Sequence, residues 1–139
     1  MRFWDSSGIV AVLVPQPSSV IADRLIAADP DIVMWWATPV ECVSALMRLA
    51  RENRIEERDC ESVIRRLDSL LERSDTIEPA YSIRDQARRL LRVHTLRAAD
   101  ALQLSAALEL RGSAPAEIEF VSFDSRLATA ARREGFTVP

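Results

Sequence analysis

The 139-residue chain is 48% hydrophobic and 28% charged, the balance of an ordinary globular protein with room for one sizeable core. Its formal net charge is -3, it contains no lysine, so that all 18 basic side chains are arginine, and it has one histidine, His94. Those absences exclude P-loop phosphate binding, a zinc site of the usual Cys/His kind, and a Ser-His-Asp triad, since His94 meets no nucleophile-elbow motif.

Residues 2–5 read as a short first strand, and residues 8–14 continue apolar until Pro15 and Pro17 break the chain. Residues 18–28 form a helix pattern with Val20, Ile21, Leu25 and Ile26 on one side. Residues 32–37 are a continuous apolar run, the mark of a strand buried on both faces. A helix follows to about residue 52, with Thr38 as N-cap and Pro39 at its first position. Residues 56–73 predict an amphipathic helix whose stripe is Val63, Ile64, Leu67, Leu70 and Leu71, with Glu61 and Arg65 paired on the wet side. Residues 76–78 read as a short strand. Residues 82–93 and 96–111 read as two helices hinged at His94 and Thr95. Residues 118–123 are the clearest late strand, followed by a helix over 125–134 that Gly135 can end, and residues 136–138 could add a last strand. The alternation predicts an α/β fold: a mostly parallel central sheet flanked by helices, in a single domain over 1–139.

No apolar stretch reaches the length of a membrane span, and the N-terminus enters a strand pattern without a signal peptide. Cys42 and Cys60 are too few for a disulfide framework, so reduced, partly buried thiols in a cytoplasmic protein are expected.

Four acids occupy positions where such a fold gathers ligands, beyond the carboxyl ends of its strands. Asp5 ends the first strand, Glu41 opens the helix after the second, Asp124 ends the late strand, and Asp100 interrupts an otherwise apolar helix. Each has a local reading as well. Asp5 suits a turn, Thr38 and Glu41 fit a capping box, Asp124 is a natural N-cap, and Asp100 could pair with Arg97. Taken together they point to converging carboxylates. Two such groups about 4 Å apart repel by roughly 4 kcal/mol at an effective dielectric near 20. A cluster of four either raises some pKa values or recruits a cation, and oxygen-only ligands favour Mg²⁺ or Mn²⁺. Chemistry on phosphate esters is the activity class this suggests.

Four segments in order carry a resemblance: Phe3-Trp4-Asp5-Ser6-Ser7, Thr38-Pro39-Val40-Glu41-Cys42, Leu96-Arg97-Ala98-Ala99-Asp100-Ala101-Leu102, and Phe120-Val121-Ser122-Phe123-Asp124-Ser125. The chain resembles the PIN domain of VapC-type toxin ribonucleases over nearly its whole length. One departure is Ser7, where many PIN domains have asparagine. The resemblance implies a PIN-like three-layer fold and an Mg²⁺- or Mn²⁺-dependent endoribonuclease that cuts structured RNA, commonly tRNA or ribosomal RNA. It also implies a VapB-like antitoxin and a homodimer, forming a heterotetramer or larger assembly with that antitoxin. Asp5, Asp100 and Asp124 would then be metal ligands and Glu41 would complete the catalytic acids, with Ser6, Ser7 and Ser122 as supports.

An acidic pI of about 5.2 argues against a broad nucleic-acid surface. Arg84, Arg88 and Arg92, with Arg89 alongside, make a ridge that reads equally as an RNA contact or a solvated helix face. Trp4, Trp35 and Trp36 are expected in core and interface, and His94 in a structural role. The competing functions are a non-catalytic PIN-like interaction module and, ranked last, a phosphohydrolase or phospho-acceptor, which generally needs the lysine this chain lacks.

Overall fold

The computed structural model describes residues 1–113 and 117–139. Among the described residues, four short strands form one sheet in the order β3-β2-β1-β4: β1 (Arg2–Trp4), β2 (Ile32–Trp35), β3 (Asp75–Ile77) and β4 (Glu119–Val121). All pairings are parallel, with Phe3 opposite Val33 on one side and Phe120 on the other. Seven helices connect and flank the described strands: α1 (Ser6–Leu13), α2 (Ser19–Ala28), α3 (Thr38–Arg51), α4 (Glu57–Leu71), α5 (Tyr81–Val93), α6 (Ala98–Ser113) and α7 (Ser125–Arg133).

Alternation along the strands splits the core in two, because successive side chains of a strand point to opposite faces. Phe3, Val33, Trp35 and Phe120 pack against α5, α6 and α7, and Phe3 and Phe120 stack at 5.4 Å. Trp4, Ile32, Met34 and Val121 face the other way, onto α1, α3 and α4. Helices on both faces of a parallel sheet give the expected three layers.

Several elements depart from the sequence expectation. The apolar run over 8–14, which the sequence pattern left without an element, is helical: Asp5 caps α1 by accepting the Gly8 N–H, which turns the chain straight from β1 into a helix. In α2 the expected apolar stripe is only half used. Leu25 and Ile26 are partly buried, whereas Val20 and Ile21 are exposed and Ala22 alone is fully covered. Thr38 is not an N-cap. It is wholly buried and its hydroxyl accepts from the Gln103 amide at 3.0 Å, so Ala37 begins α3 without a side-chain cap. Trp4 and Trp35 are core, but Trp36 lies beyond β2 and is 55% exposed. Residues 136–138 do not form a strand: only Thr137 bridges to Glu119, while the Val138 carbonyl accepts from the Arg132 guanidinium. The Glu61–Arg65 pair forms as expected at 3.7 Å, and Gly135, at φ 90°, ends the last helix.

Gly8 marks where α1 presses closest to the sheet. A Cβ there would sit 3.0 Å from the Trp4 ring and 3.2 Å from the Val121 carbonyl. Trp4 is fully buried and the carbonyl belongs to a paired strand, so neither can yield easily. Gly8→Ala is expected to destabilise by about 1–2 kcal/mol despite alanine's better helix propensity, read as a lower urea midpoint at unchanged m-value.

Candidate active site

β1, β2 and β4 all end at the same edge of the sheet, and the segments leaving them deliver the acids. Asp5 follows β1 directly and is buried. Its carboxylate accepts from the Gly8 N–H at 2.9 Å, the Ser7 hydroxyl at 2.7 Å and the Ser122 hydroxyl at 3.0 Å. Both serines are shared. Ser7 Oγ also accepts from the Phe123 N–H at 2.8 Å, and Ser122 Oγ from the Asp124 N–H at 3.2 Å. A lattice of five hydrogen bonds thus binds the start of α1 to the loop between β4 and α7 through one carboxylate. Burial pushes the Asp5 carboxyl up to about 6, with the nearby Glu41 charge adding to it, although the three hydrogen bonds hold it down.

Glu41 lies in the first turn of α3. The capping box expected from Thr38 and Glu41 is absent because Thr38 faces Gln103; Glu41 instead accepts from the Ser6 hydroxyl at 3.2 Å. Partial burial raises its carboxyl above the ordinary range, and Asp100 adds repulsion. Asp100 sits not in the interior of a buried helix but in the first turn of α6, because that helix starts at Ala98. It is half-buried and accepts the Arg97 backbone N–H at 3.1 Å, in place of the side-chain ion pair considered from the sequence. Burial raises its carboxyl as well, with Asp124 contributing repulsion. Asp124 is exposed and caps α7 through the Arg126 and Leu127 N–H groups, as its position suggested.

These four acids line one cleft of about 860 Å³. Within it Asp5 feels Glu41, Glu41 feels Asp100, and Asp100 feels Asp124, a chain of like charges in which each carboxylate disfavours ionisation of a neighbour. Among the described residues no three acids, cysteines or histidines are drawn together tightly enough to constitute a metal-holding group as they stand. The donor set is nonetheless all oxygen, and the mutual repulsion is of the kind that a hard dication relieves. Cys42 lies beside the acids, and burial, then Asp5 and Glu41, push its thiol far up, which disfavours the thiolate. Both cysteines are free and buried, as expected.

The far end of the same cleft is basic. Arg48, Arg51 and Arg54 line it along α3 and the turn after it. The sequence drew attention to the α5 ridge instead. There, Arg84 and Arg88 lie 3.5 and 3.8 Å from Asp85, and Arg89 pairs with Glu134, so much of that charge is answered. The signal for the cleft arginines was available in the spacing of Glu41, Ser44, Arg48 and Arg51, which is that of one helix face. His94 is tucked against Glu134 at 2.7 Å, away from the acids, in the structural place anticipated.

A PIN domain family model matches residues 2–133. The chain belongs to the PIN-domain family. Similar solved structures include Mycobacterium tuberculosis VapC20, described as a sarcin–ricin loop cleaving toxin, with 20% identity and a TM-score of 0.70 over 99% of this chain and 97% of that one. FitAcB from Neisseria gonorrhoeae matches at 16% identity and a TM-score of 0.67, over 99% and 96%. A toxin–antitoxin complex from Klebsiella pneumoniae matches at 15% identity and 0.64, over 91% and 88%. Identities this low speak for a shared fold. A search of curated protein sequences found no match.

The raised Asp5 carboxyl has a consequence for stability. Its folded value near 6 exceeds the ordinary 3.8, so the folded state holds the proton more tightly. The penalty is absent below about pH 4, grows as pH rises through the 4–6 window, and is complete above it, at on the order of 3 kcal/mol. Asp5→Asn keeps an acceptor for Gly8 and removes the charge. In chelator at pH 7.5 it is expected to melt higher than the parent, the gap closing as the pH is lowered to 4.

Proposed function

We propose that this chain is an endoribonuclease toxin of the VapC type, dependent on Mg²⁺ or Mn²⁺, that cuts structured RNA such as tRNA or ribosomal RNA to halt translation. The observation that carries the reading is the convergence of Asp5, Glu41, Asp100 and Asp124, from separate elements, on one cleft at the carboxyl edge of a PIN-family sheet. The toxin descriptions of two similar structures support it.

Asp5, Asp100 and Asp124 are the residues suited to hold the cation, and Glu41 completes the acidic site. When bound, a hard dication supplies the positive charge that offsets these acids and favours in-line displacement at phosphorus. Ser7 and Ser122 orient the Asp5 carboxylate and keep it from rotating out of the cleft. Glu41, whose carboxyl is raised, is suited to accept a proton from the attacking water at a carboxylate oxygen. The single PIN domain over residues 1–139 would work in the cytoplasm as a homodimer. It would be silenced by a VapB-like antitoxin whose C-terminal segment blocks the cleft, in a heterotetramer or larger assembly.

One observation favours a second reading, a non-catalytic PIN-like interaction module. Asp5, Asp100 and Asp124 each accept a backbone N–H at a helix start, a structural task sufficient in itself. Two measurements separate the readings. For the nuclease, adding Mn²⁺ or Mg²⁺ to metal-stripped protein restores RNA cleavage, and Asp100→Ala lowers it by about a hundredfold or more. Asp5→Ala is expected to do the same, but Asp5 is buried, so the half-buried Asp100 is the cleaner test. Mn²⁺ at a hundred times its Kd should also add about 2.7 kcal/mol of stability. Cleavage that persists in excess chelator would refute the metal-dependent reading, and absence of both cleavage and Mn²⁺ stabilisation would leave the interaction module.

A further inference from the structure

α3 links the two ends of the cleft. Glu41 stands in its first turn, and Arg48 and Arg51 stand in its last. Seven residues separate Glu41 from Arg48, which is two turns, so both project from the same face about 10 Å apart. Ser44 lies between them on that face and also lines the cleft. Beyond the helix, Asn53 adopts φ 55°, a left-handed conformation that asparagine tolerates, and the Arg54 N–H returns to the Leu49 carbonyl at 2.9 Å. The turn thereby folds Arg54 back over the same cleft.

These arginines are also unanswered. Among the described residues, the ion pairs involve Arg2, Arg58, Arg65, Arg84, Arg88 and Arg89, and none includes Arg48, Arg51 or Arg54. Arg48, Arg51 and Arg54 are all solvent-exposed. Complementing the helix dipole accounts for basic residues in a last turn, but not for the return of Arg54 beyond it.

We propose that Arg48, Arg51 and Arg54 form a phosphate track that holds the RNA backbone beside the scissile bond, with α3 setting its distance from the acids. This rests on the nuclease reading of the acid end. Arginine forks match phosphate oxygens in two-point geometry, and guanidinium groups open to solvent are free to rotate onto them. A backbone entering over the arginines reaches the acids along one helix face. Whole-chain acidity is no obstacle, because the contact is local to one end of one cleft. The three are positioning residues: they grip phosphates that do not react.

The test uses the full chain, with Arg48→Ala/Arg51→Ala as the variant, Arg48→Lys as the conservative one, and Arg88→Ala on the α5 ridge as the control. With an RNA that the parent cleaves, the double variant should raise KM about tenfold and leave kcat within about twofold. Its log KM against log salt should flatten by roughly 0.7 for each phosphate that is no longer held. Arg48→Lys should keep most of the salt slope, and Arg88→Ala should match the parent. Unchanged KM and slope in the double variant would overturn the track while leaving the nuclease intact. If the parent cleaves no RNA, fluorescence anisotropy with a labelled single-stranded RNA 12-mer decides instead. Salt-sensitive binding that the double variant loses sustains the track without the nuclease, and equal binding by parent and variant, or none by either, removes it. Loss of binding to a polyglutamate peptide with RNA binding unchanged would mark the arginines as a protein-docking patch and likewise overturn the proposal.

Discussion

A carboxylate placed where water cannot reach it must be held by donors, and Asp5 shows how much structure that demands. Two serines and one backbone N–H converge on it, and the same serines reach across to the backbone of Phe123 and Asp124. The junction between β1 and α1 is thereby fastened to the junction between β4 and α7. Both strands end at the cleft, so the support of one acid also sets the place of another. Even so, burial outweighs the hydrogen bonds and leaves Asp5 harder to ionise than a free aspartate. The fold thus holds at Asp5 a charge that costs it stability.

The remaining acids repeat that logic with less burial. Each acid other than Glu41 satisfies a helix N-terminus, and burial makes Asp5, Glu41 and Asp100 less acidic. Capping is compatible with a place in the cleft. A helix start offers N–H donors and a favourable dipole, which lets an acid be fixed in place next to others that repel it. The charge ordering of the cleft follows: acids, with Arg97 beside Asp100, where β1, β4 and α6 meet the start of α3, and three further arginines at its far end. Net charge summed over the chain hides how unevenly the charges are distributed along one groove.

Local pattern was sufficient for the alternation of strands and helices and for the parallel sheet. The doubly buried strand run, the α4 stripe and the glycine after α7 each express a rule that acts over a few residues. Asp5 and Asp124 could be placed at strand ends for the same reason. What went astray were features decided by partners far along the chain. Thr38 has the chemistry of an N-cap, but Gln103, 65 residues away, claims its hydroxyl. Asp100 read as an interior charge until the start of α6 at Ala98 put it in a first turn, while the apolar run over 8–14, whose pattern named no element, is a helix that Asp5 caps.

By itself, then, the sequence determined the fold class and which residue types stand at the ends of its elements, because periodicity and capping act over one or two helical turns. Which groups share the cleft, and what each side chain does there, depends on contacts made across the fold. Ser122 meets Asp5 across 117 positions and Ser7 meets Phe123 across 116, pairings that no local pattern encodes. They form because the parallel sheet sets the ends of β1 and β4 side by side, where a hydroxyl is near enough to satisfy a buried charge.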